Sequence, residues 1–426
     1  MKHKKNNNIR LLILILLLIL LVAGIAYVFA NNKNNTSQLS PTPIPNATPV
    51  VFVPGIGTSF NSSRFLGIGS DSWGWSPTAK KYYQGLIDAM AFRGYTEDNG
   101  LFTVAFYDWR QPLDEGAKDL EKTIEQVKTK TGAKKVNLVT HSMGGLISRA
   151  YIQGDTYKDD VQDLITVGTP HHGAANAYFS WEGGELYGWG LVTNIALSAY
   201  AFWTNPDFPS LGTYGLIHQK ILGIRELLPV MDYLADTTNS DVLKPAATLQ
   251  DAKNANVIQL NQTISKLFDR TNTVTMIQGT ELDTIQRIFV KQRAGSETIK
   301  WTDGEPVYDR TGESGNVAIS EGETTEGDGT VLFSSAIITD PSIDNRKVAG
   351  KHSELLNNSE VQTIIFDKLG IPLPPGDFSP KTYGSALVYI TASPITLEIT
   401  NASGASISLD KNNIAGAEYT TAGAND

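Results

Sequence analysis

Cysteine is missing from all 426 residues of the sequence. Its absence excludes disulfide bonds, thiolate nucleophiles and the cysteine-ligated zinc or iron–sulfur sites. Stability must therefore come from a buried core, and a chain of this length with 41% hydrophobic residues can form one. These numbers favour one large globular domain with extensions at its ends.

Positive charge is also in short supply. The sequence has 35 lysines and arginines against 44 aspartates and glutamates, which gives a net charge of −9. Nucleic-acid binding normally depends on a basic stripe or patch, so this balance gives no reason to expect a nucleic-acid partner. Histidine is scarce too, because the chain has only six.

An uncharged apolar run lies close to the N-terminus. Residues 11–30 (LLILILLLILLVAGIAYVFA) are long enough to cross the hydrocarbon core of a membrane. Four cations precede the run in residues 1–10 and Lys33 follows it, so the positive-inside rule predicts a cytoplasmic tail at 1–10 and an extracytoplasmic main domain. A cleaved signal peptide ending at Ala30 is the alternative, and it would make the protein secreted. The length of the run favours a retained membrane anchor.

Residues 31–48 are rich in Asn, Thr, Ser and Pro, which predicts an extended linker. The main domain is predicted over 49–372, where short apolar runs alternate with helix-like segments such as Asp114–Lys130. Such repetition indicates an α/β fold with a mostly parallel sheet, whose catalytic groups lie at the carboxyl ends of the strands. The predicted strands are Val50–Val53, Phe102–Tyr107, Val136–Val139, Leu164–Val167 and Val274–Ile277.

Two parts of the chain break this rhythm. Residues 173–257 contain Trp181, Trp189 and Trp203, which suits either ordinary core helices or an inserted cap with an apolar, lipid-facing surface. We favour the cap, because the segment follows the carboxyl end of the predicted strand Leu164–Val167. Residues 384–426 alternate apolar and polar side chains near Ile395–Ile399, which predicts a short β-rich C-terminal module that continues beyond this chain.

Residues 136–147 (VNLVTHSMGGLI) contain the candidate nucleophile. The pattern predicts a buried strand that ends at Thr140, a turn at Ser142 and a helix from Met143. Such a turn lifts the serine Oγ above the sheet and needs small residues two positions before and after it. Gly144 meets this need, whereas Thr140 departs from the usual glycine. Ser142 is therefore the predicted nucleophile, with a buried structural serine as the alternative.

A serine hydroxyl needs a base to accept its proton. In hydrolases with this kind of turn, the chain order is serine, then acid, then histidine. Only His352 follows both Ser142 and a plausible acid, because the other five histidines lie at or before residue 218. We therefore expect His352 to be the base, with a surface histidine as the alternative.

The acid that orients the base should precede His352. Asp328 fits best, because glycines flank it and a β-like run (Val331–Ile338) follows it. Asp283 is the alternative, because it follows the predicted strand Val274–Ile277. Asp108 lies before the serine, and the chain order argues against it.

An oxyanion hole is predicted beside the first strand. Gly55 allows the backbone there to approach the substrate, so the N–H of Ile56 and the N–H of Met143 would donate to the oxyanion. A plain turn between a strand and a loop is the alternative at this position.

Six segments occur in one order: PVVFVPGIG, FYDWRQP, LVTHSMGGL, LITVGTPHHGA, GDGTV and KHSELLNN. Together they resemble the lecithin–cholesterol acyltransferase family, over about residues 49–366, and YDWR is the most specific of them. The resemblance implies an α/β-hydrolase fold, Ser142, Asp328 and His352 as the catalytic triad, and chemistry on acyl esters of phospholipid-like lipids. It departs from animal members of the family, which use disulfides.

We expect Asp108 and Arg110 to form a supporting ion pair, and Trp109 to be a packing residue. The predicted reaction passes through an acyl-enzyme on Ser142 and requires no cofactor and no metal. The acyl group would pass to an alcohol, or only to water in an extracellular lipase. An inactive hydrolase fold that binds ligands at the cell surface is the rival from another class. A peptidase or amidase is disfavoured by the apolar segment 173–257.

Overall fold

A computed structural model describes most of the main domain and short pieces beyond it. No helix in this described part is long and apolar enough to cross a membrane. The predicted anchor at 11–30 and linker at 31–48 lie outside it, save for residues 47 and 48. The residues described are 47–61, 64, 72–76, 79–185, 208–236, 239–291, 299–307, 323–324, 326–372, 399–400, 406–408 and 411–412.

A six-stranded sheet forms the centre of the domain, and all its neighbouring strands are parallel. The strands lie in the order β6-β5-β4-β3-β1-β2, so the chain crosses over between them as the sequence predicted. They are β1 (Val50–Val53), β2 (Phe102–Val104), β3 (Val136–His141), β4 (Val161–Val167), β5 (Thr273–Thr280) and β6 (Ile343–Ala349).

The five strands predicted for the central sheet are all present, and four of them differ from the prediction at their ends. The predicted strand Phe102–Tyr107 stops at Val104. The Ala105 N–H still donates to Phe52 O, whereas the Tyr107 N–H donates to Ser59 Oγ, 3.1 Å away, outside the central sheet. Strand β6 was not predicted. Its central residues are Asn345, Arg346 and Lys347, which are polar or charged and exposed. Such residues are usual in an edge strand, but they interrupt the apolar pattern by which a strand is predicted.

Helices cover both faces of the sheet. Helix α2 confirms the predicted helix Asp114–Lys130 and extends it by one residue at each end. The helices are α1 (Gln84–Phe92), α2 (Leu113–Thr131), α3 (Met143–Gln153), α4 (Asn176–Gly183), α5 (Phe208–Lys220), α6 (Ala255–Gln262), α7 (Ser265–Arg270), α8 (Phe333–Ala336) and α9 (Ser359–Leu369), with 3-10 turns at Lys80–Tyr82, Leu222–Leu227, Ala246–Thr248 and His352–Asn357.

Alternate residues of β1 enter two separate cores, because successive side chains of a strand point to opposite faces. Val51 and Val53 belong to one buried cluster with apolar residues of α2 and α3. Val50 and Phe52 belong to a second cluster with residues of α1 and α9. The sheet is therefore buried between two helical layers, and its carboxyl edge is the place where loops from several strands meet.

The predicted β-like run Val331–Ile338 is wrong. Residues 333–336 form the short helix α8, and Val331 before it is tied to Asp328 by its backbone N–H. The Ser335 and Ala336 N–H groups both donate to Leu332 O, which closes a helical turn where β-branched and aromatic residues suggested a strand.

In segment 173–257, Tyr178, Phe179 and Trp181 of α4 are at most 3% exposed and belong to the first core cluster. Trp189 and Trp203 lie outside the described residues. These three aromatic side chains lie in the core, whereas Tyr214 of the same segment is half-buried. The cap over residues 173–257 stays a prediction.

Smaller sheets surround the centre. One contains Leu234–Asp236, Asn239–Lys244, Ile288–Lys291 and Glu305–Pro306; others pair Ser59–Phe60 with Gly74–Trp75 and Thr284–Ile285 with Glu323–Thr324. Near the C-terminus, Ile399–Thr400, Ser406–Ser408 and Lys411–Asn412 form three antiparallel strands. The extent of a β-rich module over 384–426 stays a prediction.

Candidate active site

Ser142 occupies the turn between β3 and α3 with a backbone that favours glycine. Its φ is 54° and its ψ is −128°. A non-glycine residue in such a region costs on the order of 1–3 kcal/mol, and such strain concentrates at functional sites. The Ser142 N–H donates to Val167 O, 3.0 Å away, which ties the strained turn to the neighbouring strand β4.

Two glycines allow α3 to start against the sheet. A Cβ on Gly144 would lie 2.2 Å from Val53 O, and a Cβ on Gly145 would lie 2.1 Å from Thr169 Oγ1. Thr140, at the position where glycine is more common, is fully buried and its hydroxyl donates to Ile165 O at 3.3 Å. The hydroxyl therefore has a partner within the sheet, and the departure from glycine is accommodated.

The structure brings Ser142, His352 and Asp328 into one hydrogen-bonded line. His352 Nε2 lies 3.0 Å from Ser142 Oγ, and His352 Nδ1 lies 2.7 Å from Asp328 Oδ2. Because the carboxylate accepts, Nδ1 carries the proton and Nε2 presents its lone pair to the serine hydroxyl. This is the arrangement in which a histidine can accept a proton from serine.

Backbone hydrogen bonds fix the position of Asp328. Its side chain is 1% exposed, and its Oδ1 accepts the N–H groups of Thr330 and Val331 at 3.0 and 2.7 Å. Its carbonyl accepts the N–H of His352 at 2.9 Å. Asp283, the alternative acid, is exposed. A bridge between Leu282 and Asp328 instead places Asp328 beside the end of β5.

The predicted oxyanion residues lie next to the serine. A Cβ on Gly55 would be 3.0 Å from Ser142 Cβ, so the loop after β1 passes directly beside the nucleophile. The Gly55 N–H points to Tyr83 Oη at 3.2 Å. In the described part of the chain, the N–H groups of Ile56 and Met143 donate to no protein acceptor. Met143 also begins α3, whose N-terminus favours negative charge.

Asp108 and Arg110 form the expected ion pair. Arg110 Nε lies 2.7 Å from Asp108 Oδ1, and Arg110 Nη2 lies 2.8 Å from Asp108 Oδ2, so the pair is bidentate. Trp109 is 4% exposed and its Nε1–H donates to Ser59 O at 2.9 Å. The Arg110 carbonyl accepts the N–H of Gly223 at 3.0 Å, which joins the YDWR loop to the segment 173–257.

The other described histidines have different surroundings. His171 is buried and bonded to Arg149 and Thr166, whereas His218 donates to Trp181 O. His141 lies behind the site and contacts Tyr83 and the backbone of His352. The sequence analysis did not single out Tyr83, because no motif marks it. Among the described residues, no three His, Asp or Glu side chains gather as metal ligands.

A sequence model of the lecithin:cholesterol acyltransferase family matches residues 71–311, which is more than half of the chain. The chain belongs to this family. The matched range contains Ser142, Asp108 and Arg110. It is shorter at both ends than the expected 49–366, so Gly55, Asp328 and His352 lie outside it.

Two curated relatives from Arabidopsis thaliana share a segment of this family. Lecithin-cholesterol acyltransferase-like 4 is 34% identical over 97 residues, which are 22% of this chain and 18% of that protein. Phospholipase A(1) LCAT3 is 31% identical over 97 residues, which are 22% of each protein. The similarity therefore spans about a fifth of the length of each of these two relatives.

Among solved structures, the mature form of the Bacillus licheniformis lipase BlEst2 is 16% identical and has a TM-score of 0.41, with 78% of this chain and 95% of that chain covered. The parallel sheet, the turn at Ser142 and the hydrogen-bonded residues at the carboxyl edge together make an α/β-hydrolase-like fold.

Proposed function

We propose that this protein is a serine-dependent enzyme of lipid metabolism that acts on acyl esters through a covalent acyl-enzyme. The single observation that carries the proposal is the line from Ser142 Oγ through His352 to Asp328, with distances of 3.0 and 2.7 Å. The serine is 8% exposed, so it is sheltered but still reaches the surface of the described residues.

In the first half-reaction, His352 Nε2 accepts the proton of the Ser142 hydroxyl as Oγ attacks the ester carbonyl carbon. Asp328 keeps the imidazole in the required orientation and stabilises its positive charge. The tetrahedral intermediate collapses, the bond to the alkoxy oxygen breaks, and His352 gives its proton to the leaving alcohol. The acyl group is then an ester of Ser142.

The backbone N–H groups of Ile56 and Met143 are the proposed donors to the oxyanion in both half-reactions. Loss of one such donor lowers the rate by about 100- to 1000-fold in a serine hydrolase, which shows the scale of this contribution. In the second half-reaction, His352 removes a proton from the acceptor hydroxyl, which attacks the acyl-enzyme and releases Ser142.

Phospholipid-like esters are the proposed donors. Family membership and the name of the relative phospholipase A(1) LCAT3 support this substrate class. The names of the relatives support two outcomes for the acyl group, because one is called acyltransferase-like and the other a phospholipase. We propose transfer to a lipid alcohol as well as hydrolysis, with an enzyme that only hydrolyses as the second candidate.

The proposed location is outside the cytoplasm, with residues 11–30 as a membrane anchor. The support is the uncharged run itself and the excess of cations before it. An anchor at this place would bring the active site close to lipid.

A product assay tests the proposal. Purified protein is incubated with a phospholipid and a long-chain alcohol, and the products are separated by mass spectrometry. We expect free fatty acid together with a new fatty ester, and neither product with the Ser142→Ala variant. Free fatty acid without a new ester would support an enzyme that only hydrolyses and would exclude acyl transfer to the alcohol. Equal product from wild type and Ser142→Ala would overturn the proposal.

A further inference from the structure

A chain of hydrogen bonds runs behind Ser142 and joins the loop after β1 to the loop after β6. The Gly55 N–H donates to Tyr83 Oη at 3.2 Å, and Tyr83 Oη lies 3.1 Å from His141 Nδ1. His141 Nε2 lies 3.0 Å from the carbonyl oxygen of His352. Three side-chain and backbone contacts thus connect the residue before Ile56 with the proposed base.

The groups at the two ends of this hydrogen-bond chain, the Gly55 N–H and the His352 carbonyl, fix the direction of every hydrogen bond in it. A carbonyl oxygen only accepts, so His141 Nε2 carries a proton and donates it to His352. In a neutral imidazole Nδ1 has no proton, so it accepts a hydrogen bond from the Tyr83 hydroxyl. The Gly55 N–H can only donate, so Tyr83 Oη accepts it, and the second lone pair of Oη is available to the Thr58 hydroxyl at 3.2 Å.

The side chains of this hydrogen-bond chain are buried and uncharged. Tyr83 and His141 are 4% and 5% exposed. Burial, and then the nearby His352, lower the pKa of His141 to about 3, while burial raises the pKa of Tyr83. Both side chains therefore keep one protonation state over the neutral range, and the bond directions do not change.

We propose that His141 and Tyr83 are positioning residues, which keep the backbone of His352 and the proposed oxyanion loop in fixed positions on either side of Ser142. The inference rests on the proposed role of His352 as base. His141 and Tyr83 touch neither the substrate nor Ser142 Oγ in this scheme. They act through the backbone at Gly55 and His352.

The backbone of His352 shows why such a restraint matters. Its N–H is held by Asp328 O at 2.9 Å, and its carbonyl is held by His141 at 3.0 Å. Both bonds lie where β6 has ended and a 3-10 turn begins, so the sheet no longer fixes the backbone there. If His141 released the carbonyl, the imidazole would keep Asp328 but lose a fixed distance to Ser142.

Three variants test the proposal with a p-nitrophenyl ester. Tyr83→Phe removes only the bridging hydroxyl, His141→Leu removes both ends of the imidazole, and His141→Gln keeps an amide N–H for the His352 carbonyl. Small misplacements of reacting groups lower rates by up to about 100-fold, so we expect kcat to fall about 10- to 100-fold in Tyr83→Phe and His141→Leu. KM should change less than about twofold, because ground-state binding is untouched. His141→Gln should retain more of kcat than His141→Leu.

Tyr151→Phe is the matched control. Tyr151 is a buried tyrosine on α3 whose hydroxyl donates to buried Asp160 at 2.7 Å, outside the chain described above. Its loss should lower thermal stability as Tyr83→Phe does and leave kcat unchanged. If Tyr83→Phe loses stability but keeps kcat, the positioning role is wrong.

The test separates this inference from the proposed function. Inactive Ser142→Ala with fully active Tyr83→Phe and His141→Leu would overturn the positioning role alone. Active Ser142→Ala would overturn the proposed function. If His141→Leu does not fold, Tyr83→Phe and His141→Gln still decide the outcome, because their side chains preserve most of the volume.

Discussion

Two buried carboxyl groups of this protein are held in different ways. Asp328, at the candidate active site, has a donor for each oxygen: the N–H groups of Thr330 and Val331 for one, and His352 for the other. Glu182, on α4, is also buried, but among the described residues its Oε1 has no hydrogen-bond partner.

The difference has a chemical consequence. Burial raises the pKa of Glu182 to about 8; the Asp303 N–H opposes this rise, and the charges of Asp303 and Asp251 add to it. Glu182 is therefore mainly protonated at pH 7. Asp328 is as little exposed, but N–H groups contact both of its oxygens. Donors at both oxygens favour a buried carboxyl group that accepts from histidine.

Asp328→Asn would break the comparison most strongly. An asparagine amide can donate to His352 Nδ1 and so favours the tautomer whose Nε2 cannot accept the serine proton. We expect kcat for ester hydrolysis to fall about 10⁴-fold, as in a serine protease with the same change. The control is Asp283→Asn, which changes an exposed acid nearby and should keep kcat within about twofold. Loss of activity in Asp283→Asn, with an active Asp328→Asn, would show that the acid is assigned to the wrong residue.

Asp303→Asn should affect stability without an equal effect on catalysis. The Asp303 carboxylate accepts the N–H groups of Gln250, Asp251 and Ala252 at 2.6, 3.0 and 3.0 Å. An amide cannot accept at its nitrogen, so N–H groups of this site, among them that of buried Ala252, lose their acceptor, at a cost of about 1–3 kcal/mol of unfolding free energy. Denaturant unfolding measures the loss.

The control for this change is Asp232→Asn, because Asp232 accepts one exposed N–H, that of Ala246, at 2.7 Å. It should cost less than about 1 kcal/mol, since solvent can replace the bond. Equal losses in the Asp303 and Asp232 variants would contradict the importance of the buried site.

Glu182→Gln sharpens the comparison through the pH dependence of stability. The folded protein keeps the Glu182 proton up to about pH 8, whereas the unfolded chain loses it near its ordinary value of 4.5. Glu182 therefore contributes stability that is complete below about pH 4.5 and is lost as the pH rises towards 8. Within this window, its contribution to the unfolding free energy falls by up to about 1.4 kcal/mol per pH unit.

Urea unfolding of wild type and Glu182→Gln between pH 5 and 8 measures this slope. The wild type should lose stability with pH more steeply than the variant, because glutamine does not titrate. Parallel curves for the two proteins would show that Glu182 is ionised in the folded state at neutral pH.

The nucleophile turn was predictable because its requirements are local. An apolar strand, a serine and two following glycines lie within ten residues, and the close approach of Gly144 to Val53 O explains why glycine is needed. His352 was found by elimination among six histidines, helped by the order of the motifs. The Asp108–Arg110 pair followed from two residues that are neighbours in sequence.

The remaining parts depend on contacts that no local pattern shows. Strand β6, which leads to His352, has central residues that are polar or charged and exposed, and it was missed. Residues 331–338 looked like a strand, but the hydrogen bonds of Leu332 O make a helical turn. Tyr83 reaches His141 across 58 positions of the chain, so only the folded structure shows their contact.

The central claim, that Ser142 is an activated nucleophile, is tested most directly with a fluorophosphonate probe. Folded protein is treated with the probe, digested and analysed by mass spectrometry for the labelled residue. The account predicts one adduct, on Ser142, that is absent after denaturation and strongly reduced in Asp328→Asn. Folded protein that is unlabelled, or labelled at another residue, would contradict it.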